Sequence, residues 1–276
     1  PKAPAIAATN LNLGAVAAAP SQERSSTVAA STLFARSNRE GNLDRALQAA
    51  LKQLRAERRL ENSRVVMATL REQLTKPGSK AESVAAILRF LDSGEDEATA
   101  LAFRVGPSHA LTEAPTLRTA LLDWLGQLDP AAAGEYAGEI FEAMVSPEEY
   151  AVALRNFARG RPEQRAELRN YFSRLLTHAS WAKQPTSGYL EAFDIVPHLG
   201  DPAFFNPLSG FLAPSAPTSL RHASLVALDR LVLASPSGAF AELLETAAFD
   251  EQPLVRASFL ARADVRDQLQ RQFVER

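Results

Sequence analysis

The stretch LGDPAFFNPLSGFLAPSAPTSLRHASLVALDRL, residues 199–231, decides how this chain is read. Asp201 places a capping side chain ahead of Pro202, whose missing N–H costs nothing in the first turn of a helix. A short helix follows, then a turn containing Pro214 and Pro217, then a longer helix with its apolar residues at helical spacing. Pro207 falls within the first of the two helices and should shorten or kink it.

The same punctuation recurs along the chain. Of 17 prolines, 13 lie from residue 107 onward, and most stand where a helix should begin, as in Asp129-Pro130, Ser146-Pro147 and Ser235-Pro236. Glu149, three residues after Ser146, completes the pattern of a capping box. Self-comparison aligns APTLRTALLDWLGQL (114–128) with APTSLRHASLVALDRL (216–231) after one inserted residue, so that Arg118 matches Arg221. The segments that follow, 129–143 and 235–247, are also alike, so the similarity covers two helices. Sliding this frame makes Arg118, Ala151, Ser187, Arg221 and Arg256 equivalent, at intervals of 33, 36, 34 and 35 residues. Ala151 and Ser187 lack the Arg and rest on spacing and cap placement alone.

Residues 199–231 resemble a bacterial HEAT repeat, which reads L-G-D-P, a short helix, a turn, then V/L-R-x-A-A-x-x-A-L-x-x-L. Residues 232–263 are similar, with Val255-Arg256 opening the second helix, and the likeness weakens over 112–198. The resemblance implies an all-α fold, an α-solenoid of antiparallel helix pairs over 112–276, each pair stacking on its neighbours to bury a continuous core. It implies a non-catalytic scaffold presenting its second helices, around 115–128, 149–159, 188–198, 219–233 and 254–263, to a protein partner. It also makes Arg118, Arg221 and Arg256, with Asp201 and Pro202, structural positions, each Arg pairing with a carboxylate or carbonyl next door. Asp250 has the offset to serve Arg256. The final segment, Asp264 to Arg276, keeps Val265, Leu269 and Phe273 in a row and is otherwise polar, as a terminal cap requires.

Before the repeats, apolar spacing predicts helices from an Asn42 cap through Leu43, Leu47, Leu51 and Leu54, over Val65 to Leu74, over Ser79 to Leu91, and a short one from Glu95 to Val105. Residues 43–111 are thus expected to pack on the repeats as additional N-terminal helices, and no segment reads as a strand. Residues 1–42, rich in Ala, Ser, Thr and Pro without a sustained apolar period, read as a flexible leader. The opening at Pro1 and this tether-like composition favour a periplasmic or cell-envelope setting, with a signal peptide or anchor upstream, over a cytoplasmic tether.

Composition narrows the chemistry. A formal net charge of −2 argues against a general nucleic-acid partner, which needs a basic excess to neutralise phosphates. With no Cys, and with His109, His178, His198 and His222 far apart in sequence, neither a metal nor any other cofactor is expected. No nucleophile elbow, phosphate loop, HExxH or dinucleotide fingerprint is present. The candidate binding residues are Arg155, Arg159, Arg161, Arg165 and Arg169, extended by Arg174, with Arg161, Arg165 and Arg169 four apart on one helical face. Trp181, between a helix and a loop, is the aromatic expected at an interface, whereas Trp124, Tyr136, Phe141, Tyr150, Phe204, Phe205 and Phe211 read as core. The alternatives are an anion- or nucleic-acid-binding module using the Arg155–Arg174 patch, by architectural analogy with HEAT-like base glycosylases, and a helical-array enzyme with an unrecognised site.

Overall fold

A computed structural model describes residues 41–275. The described residues are all-α, with one small two-stranded exception. Helix α1 (41–56) is followed by α2 (Leu60–Leu74) and α3 (Lys80–Asp92), and then by a hairpin of β1 (Arg104–Val105) and β2 (Leu111–Glu113). Next come α4 (Leu117–Leu128), α5 (Pro130–Ala143), α6 (Pro147–Gly160), α7 (Arg165–Leu176), α8 (Ala179–Lys183), α9 (Ser187–Glu191) and α10 (Val196–Leu199), with a 3-10 turn over Ala192–Ile195. Helices α11 (Phe205–Gly210), α12 (Thr218–Ala234), α13 (Pro236–Glu245), α14 (Pro253–Leu260) and α15 (Gln268–Val274) complete the described chain. The leader reading falls outside the described residues, apart from 41 and 42. These two already lie in α1, so Asn42 is within that helix rather than its cap.

Pro-led starts form for the reason their composition suggests. Asp129 accepts from the Ala132 N–H at 3.2 Å, Ser146 from Glu149 at 3.3 Å and Asp201 from Ala203 at 3.1 Å. Ser235 makes no such bond. The capping box at Ser146 is only half made, because the Glu149 side chain turns to Arg118 instead of back to the helix start. Around Pro207 the first helix of its pair is reduced to a 3-10 turn, Pro202–Phe204, and the six-residue α11.

Buried side chains from Leu43 to Phe259 belong to one continuous apolar cluster. Helices α4 and α6 pack together, α6 packs on α9 and the 3-10 turn after it, and that turn and α10 pack on α12. Helices α5 and α6 form the most extensive pair, and glycine allows it: a Cβ on Gly160 would stand 2.0 Å from the Pro130 carbonyl oxygen. At the α4–α6 crossing a Cβ on Gly126 would lie 2.1 Å from Asn156 Oδ1, while Asn156 Nδ2 donates to the Leu122 carbonyl at 2.8 Å. Phe141, fully buried, is stacked on Tyr171 at 3.9 Å and tilted against Tyr150 at 5.0 Å.

Two sequence expectations are corrected here. Glu95 to Val105 is not a helix: it runs extended, bridges at Ala98 to Thr116, and enters a hairpin whose strands pair Arg104 with Glu113 and Val105 with Leu111. Its residues Leu101, Phe103 and Val105 alternate inward with exposed Ala102 and Arg104, a period of two that ends at the Gly106-Pro107 turn. The terminal segment also departs from the expected cap. Only Phe273 of its apolar row packs, against Phe240 at 6.2 Å, while Val265 lies before α15 and stays exposed together with Leu269.

Candidate functional site

The hairpin is tied down by residues of both α4 and α6. On α4, Asp123 accepts from the Leu111 backbone N–H at 3.1 Å and from Gln127 Nε2 at 2.6 Å. From α6, Arg155 donates through one terminal nitrogen to Asp123 and through the other to the His109 carbonyl. His109 holds a positive φ of 59°, a left-handed conformation uncommon for residues other than Gly, though His, Asn and Asp adopt it more readily than most. The Asp123 side chain is 1% exposed and that of Arg155 18%. Burial pushes the Asp123 carboxyl above its ordinary value against the pull of Arg155, and lowers the Arg155 guanidinium against the pull of Asp123.

Beside this tie opens a cleft of about 440 Å³, lined on one side by Phe103 and His109 of the hairpin segment and by Arg155, Ala158 and Arg159 of α6. Its other side comprises Glu191, Asp194, Ile195, Pro197 and His198, and Arg230 of α12 closes the end. Arg230 is already paired with Asp194, as Arg155 is with Asp123. That leaves two uncompensated charges. Arg159 is exposed and Glu191 half-buried, and neither has a salt-bridge or hydrogen-bond partner among the described residues. Burial raises the Glu191 carboxyl above its usual range, with Asp194 adding to this and Arg155 and Arg230 opposing it.

The arginine series does not form one surface. Arg161 follows α6 and pairs with Glu135 at 3.5 Å, so it does not share a helix face with Arg165 and Arg169 as the four-residue spacing suggests. Arg169 bonds Asp201 at 2.5 Å and Arg174 bonds Glu142 at 3.0 Å; only Arg159 and Arg165 of the series lack an acidic partner among the described residues. Trp181 is half-buried rather than open, stacked on His178 at 3.9 Å and edge-on to Tyr150 at 5.6 Å. Among the structural positions, Arg118 donates to Glu149 at 3.1 Å and to the Leu91 carbonyl at 2.6 Å, and Arg256 donates to Asp250 at 2.7 Å. Arg221 reaches only Thr218, at 3.2 Å.

The residues that sequence reasoning passed over include Asp123 of the tie and, in the cleft, Phe103, His109, Glu191, Asp194, His198 and Arg230. Glu191, Asp194 and His198 stand three and four apart in EAFDIVPH, one face of a helical turn, and that spacing was the available signal. Among the described residues no cluster of His, Asp and Glu could hold a metal, and no helix is long and apolar enough to cross a membrane. Compared with known proteins, the chain matches no family model, no curated protein and no solved structure at a significant level.

Proposed function

We propose that this chain is a short HEAT-like α-solenoid that works as a non-catalytic scaffold, binding a segment of a partner protein along the row formed by α4, α6, α9–α10 and α12. Helices α5, α7, α11 and α13 alternate with this row in sequence, as the outer members of successive pairs would. The observation that carries the reading is the cleft itself: its walls come from α6, from the α9–α10 segment and from α12, the inner helices of three consecutive units. A surface of this kind, with an apolar floor and charged rim, suits an extended polypeptide. The alternative of an anion or nucleic-acid module finds less support, because most of the arginines it needs are engaged by carboxylates of the same chain.

Site-specific photocrosslinking in the cells that make the protein tests this. A crosslinker at His198, exposed in the cleft, is expected to capture a discrete protein adduct, and one at Glu167, exposed on α7, is not. Equal labelling from both positions, or adducts with nucleic acid alone, would overturn the reading.

A further inference from the structure

Resting on the scaffold reading, we infer that the cleft between α6, α9–α10 and α12 is a specificity pocket for a basic and an acidic side chain adjacent to one another in the partner segment. Glu191 receives the cation and Arg159 the carboxylate. Arg155 is held by Asp123 and the His109 carbonyl, and Arg230 by Asp194, so neither is free to recognise an incoming ion without breaking an existing pair. Among the carboxylate and guanidinium groups lining the cleft, those of Glu191 and Arg159 have no salt-bridge or hydrogen-bond partner among the described residues.

Glu191 and Arg159 both line the cleft, so a lone anion or a lone cation would answer only one of them. A dipolar group satisfies both. Charge-assisted hydrogen bonds at a partly desolvated site are stronger than neutral ones, so two unanswered ions of opposite sign in one cleft select for a pair of opposite charges rather than for a single charge. Phe103, Ala158, Ile195 and Pro197 supply an apolar wall for the methylene stem of a Lys or Arg, which packs along such surfaces while its head group stays polar. The volume of about 440 Å³ exceeds what one side chain occupies and accommodates two neighbouring residues.

The test uses the whole chain and four blocked tetrapeptides, titrated by calorimetry: acetyl-Gly-Lys-Asp-Gly-amide and its analogues with norleucine for Lys, with Asn for Asp, and with both changes. The dipolar peptide should bind at least tenfold more tightly than the doubly neutral one. Glu191→Gln should abolish the preference for Lys over norleucine while keeping that for Asp over Asn, and Arg159→Gln should do the reverse. Four peptides of equal affinity, or no binding by any of them, would overturn the inference, and the comparison on the unaltered protein needs no variant to fold. Free lysine binding more tightly than the blocked peptide would also overturn it, by assigning the cleft to a small zwitterion. Failure here combined with protein adducts from His198 would sink the charge-pair inference alone, whereas loss of those adducts would sink the scaffold reading itself.

Discussion

Replacing Arg155 with Leu removes one partner of a nearly dry ion pair and the donor that pins the His109 carbonyl, leaving the Asp123 carboxylate buried with two neutral donors. Breaking a buried pair from one side costs about 3–5 kcal/mol, since the remaining charge keeps its desolvation penalty and loses its compensation. The 18% exposure of Arg155 and the retained bonds from Leu111 and Gln127 place the expected loss at the lower end, about 3 kcal/mol at neutral pH. The pH dependence has a definite sign. Asp123 already sits above its ordinary carboxyl value, so its contribution to stability is full below that value and declines as pH rises through the folded one. Without Arg155 the carboxyl rises further, and the deficit of the variant should shrink as acidification protonates Asp123. Urea unfolding across pH gives the free energies, and hydrogen exchange at the Leu111 amide reports whether the hairpin has come loose. Adding Asp123→Asn to the variant should recover part of the loss. A deficit below about 1 kcal/mol, the range of a surface bridge, with Leu111 protection unchanged, would refute the view of this pair as the clamp of the hairpin.

Gly160→Ala should destabilise by about 2–3 kcal/mol in denaturant unfolding, because the new Cβ meets the rigid Pro130 carbonyl and the α5–α6 pair must separate. Phe141→Ala should cost about 3–5 kcal/mol by the same measurement, since Tyr150, Phe157 and Tyr171 pack around a ring that nothing else can replace. The Glu97 carboxyl is held below its ordinary value, chiefly by its hydrogen bond from Arg55 with Arg58 adding to it. Its stabilising contribution is therefore present above the ordinary Glu value and lost as pH falls through the depressed one, so Glu97→Gln should flatten the acid limb of the stability profile rather than its neutral part.

Most of the helices could be read from sequence because their signals are local. Apolar residues three and four apart, and Asp129, Ser146 and Asp201 each standing before a Pro, act within one turn of chain and need no distant partner. The hairpin was missed because the five residues Ala98 to Ala102 mix small and apolar types that a helix also accepts. What excludes a helix there is long-range: Thr99 pairs with Pro115 at 2.9 Å, and Asp123 holds the Leu111 amide.

The arginines make the same point about the site. Sequence spacing lined up Arg155 through Arg174 as a basic stripe, but spacing reports only neighbours along one helix. Packing delivered Asp123 from α4, Glu135 and Glu142 from α5, and Asp201 from beyond α10 to answer four of those charges. By itself the sequence determined the helical class and the starts of the Pro-led helices, both governed by contacts within a few residues. Only the tertiary structure decided which charges remain unanswered, because ion pairing depends on distances between segments far apart in sequence, 32 residues for Arg155 and Asp123. Those unanswered charges, Glu191 and Arg159, are what make the cleft a candidate site.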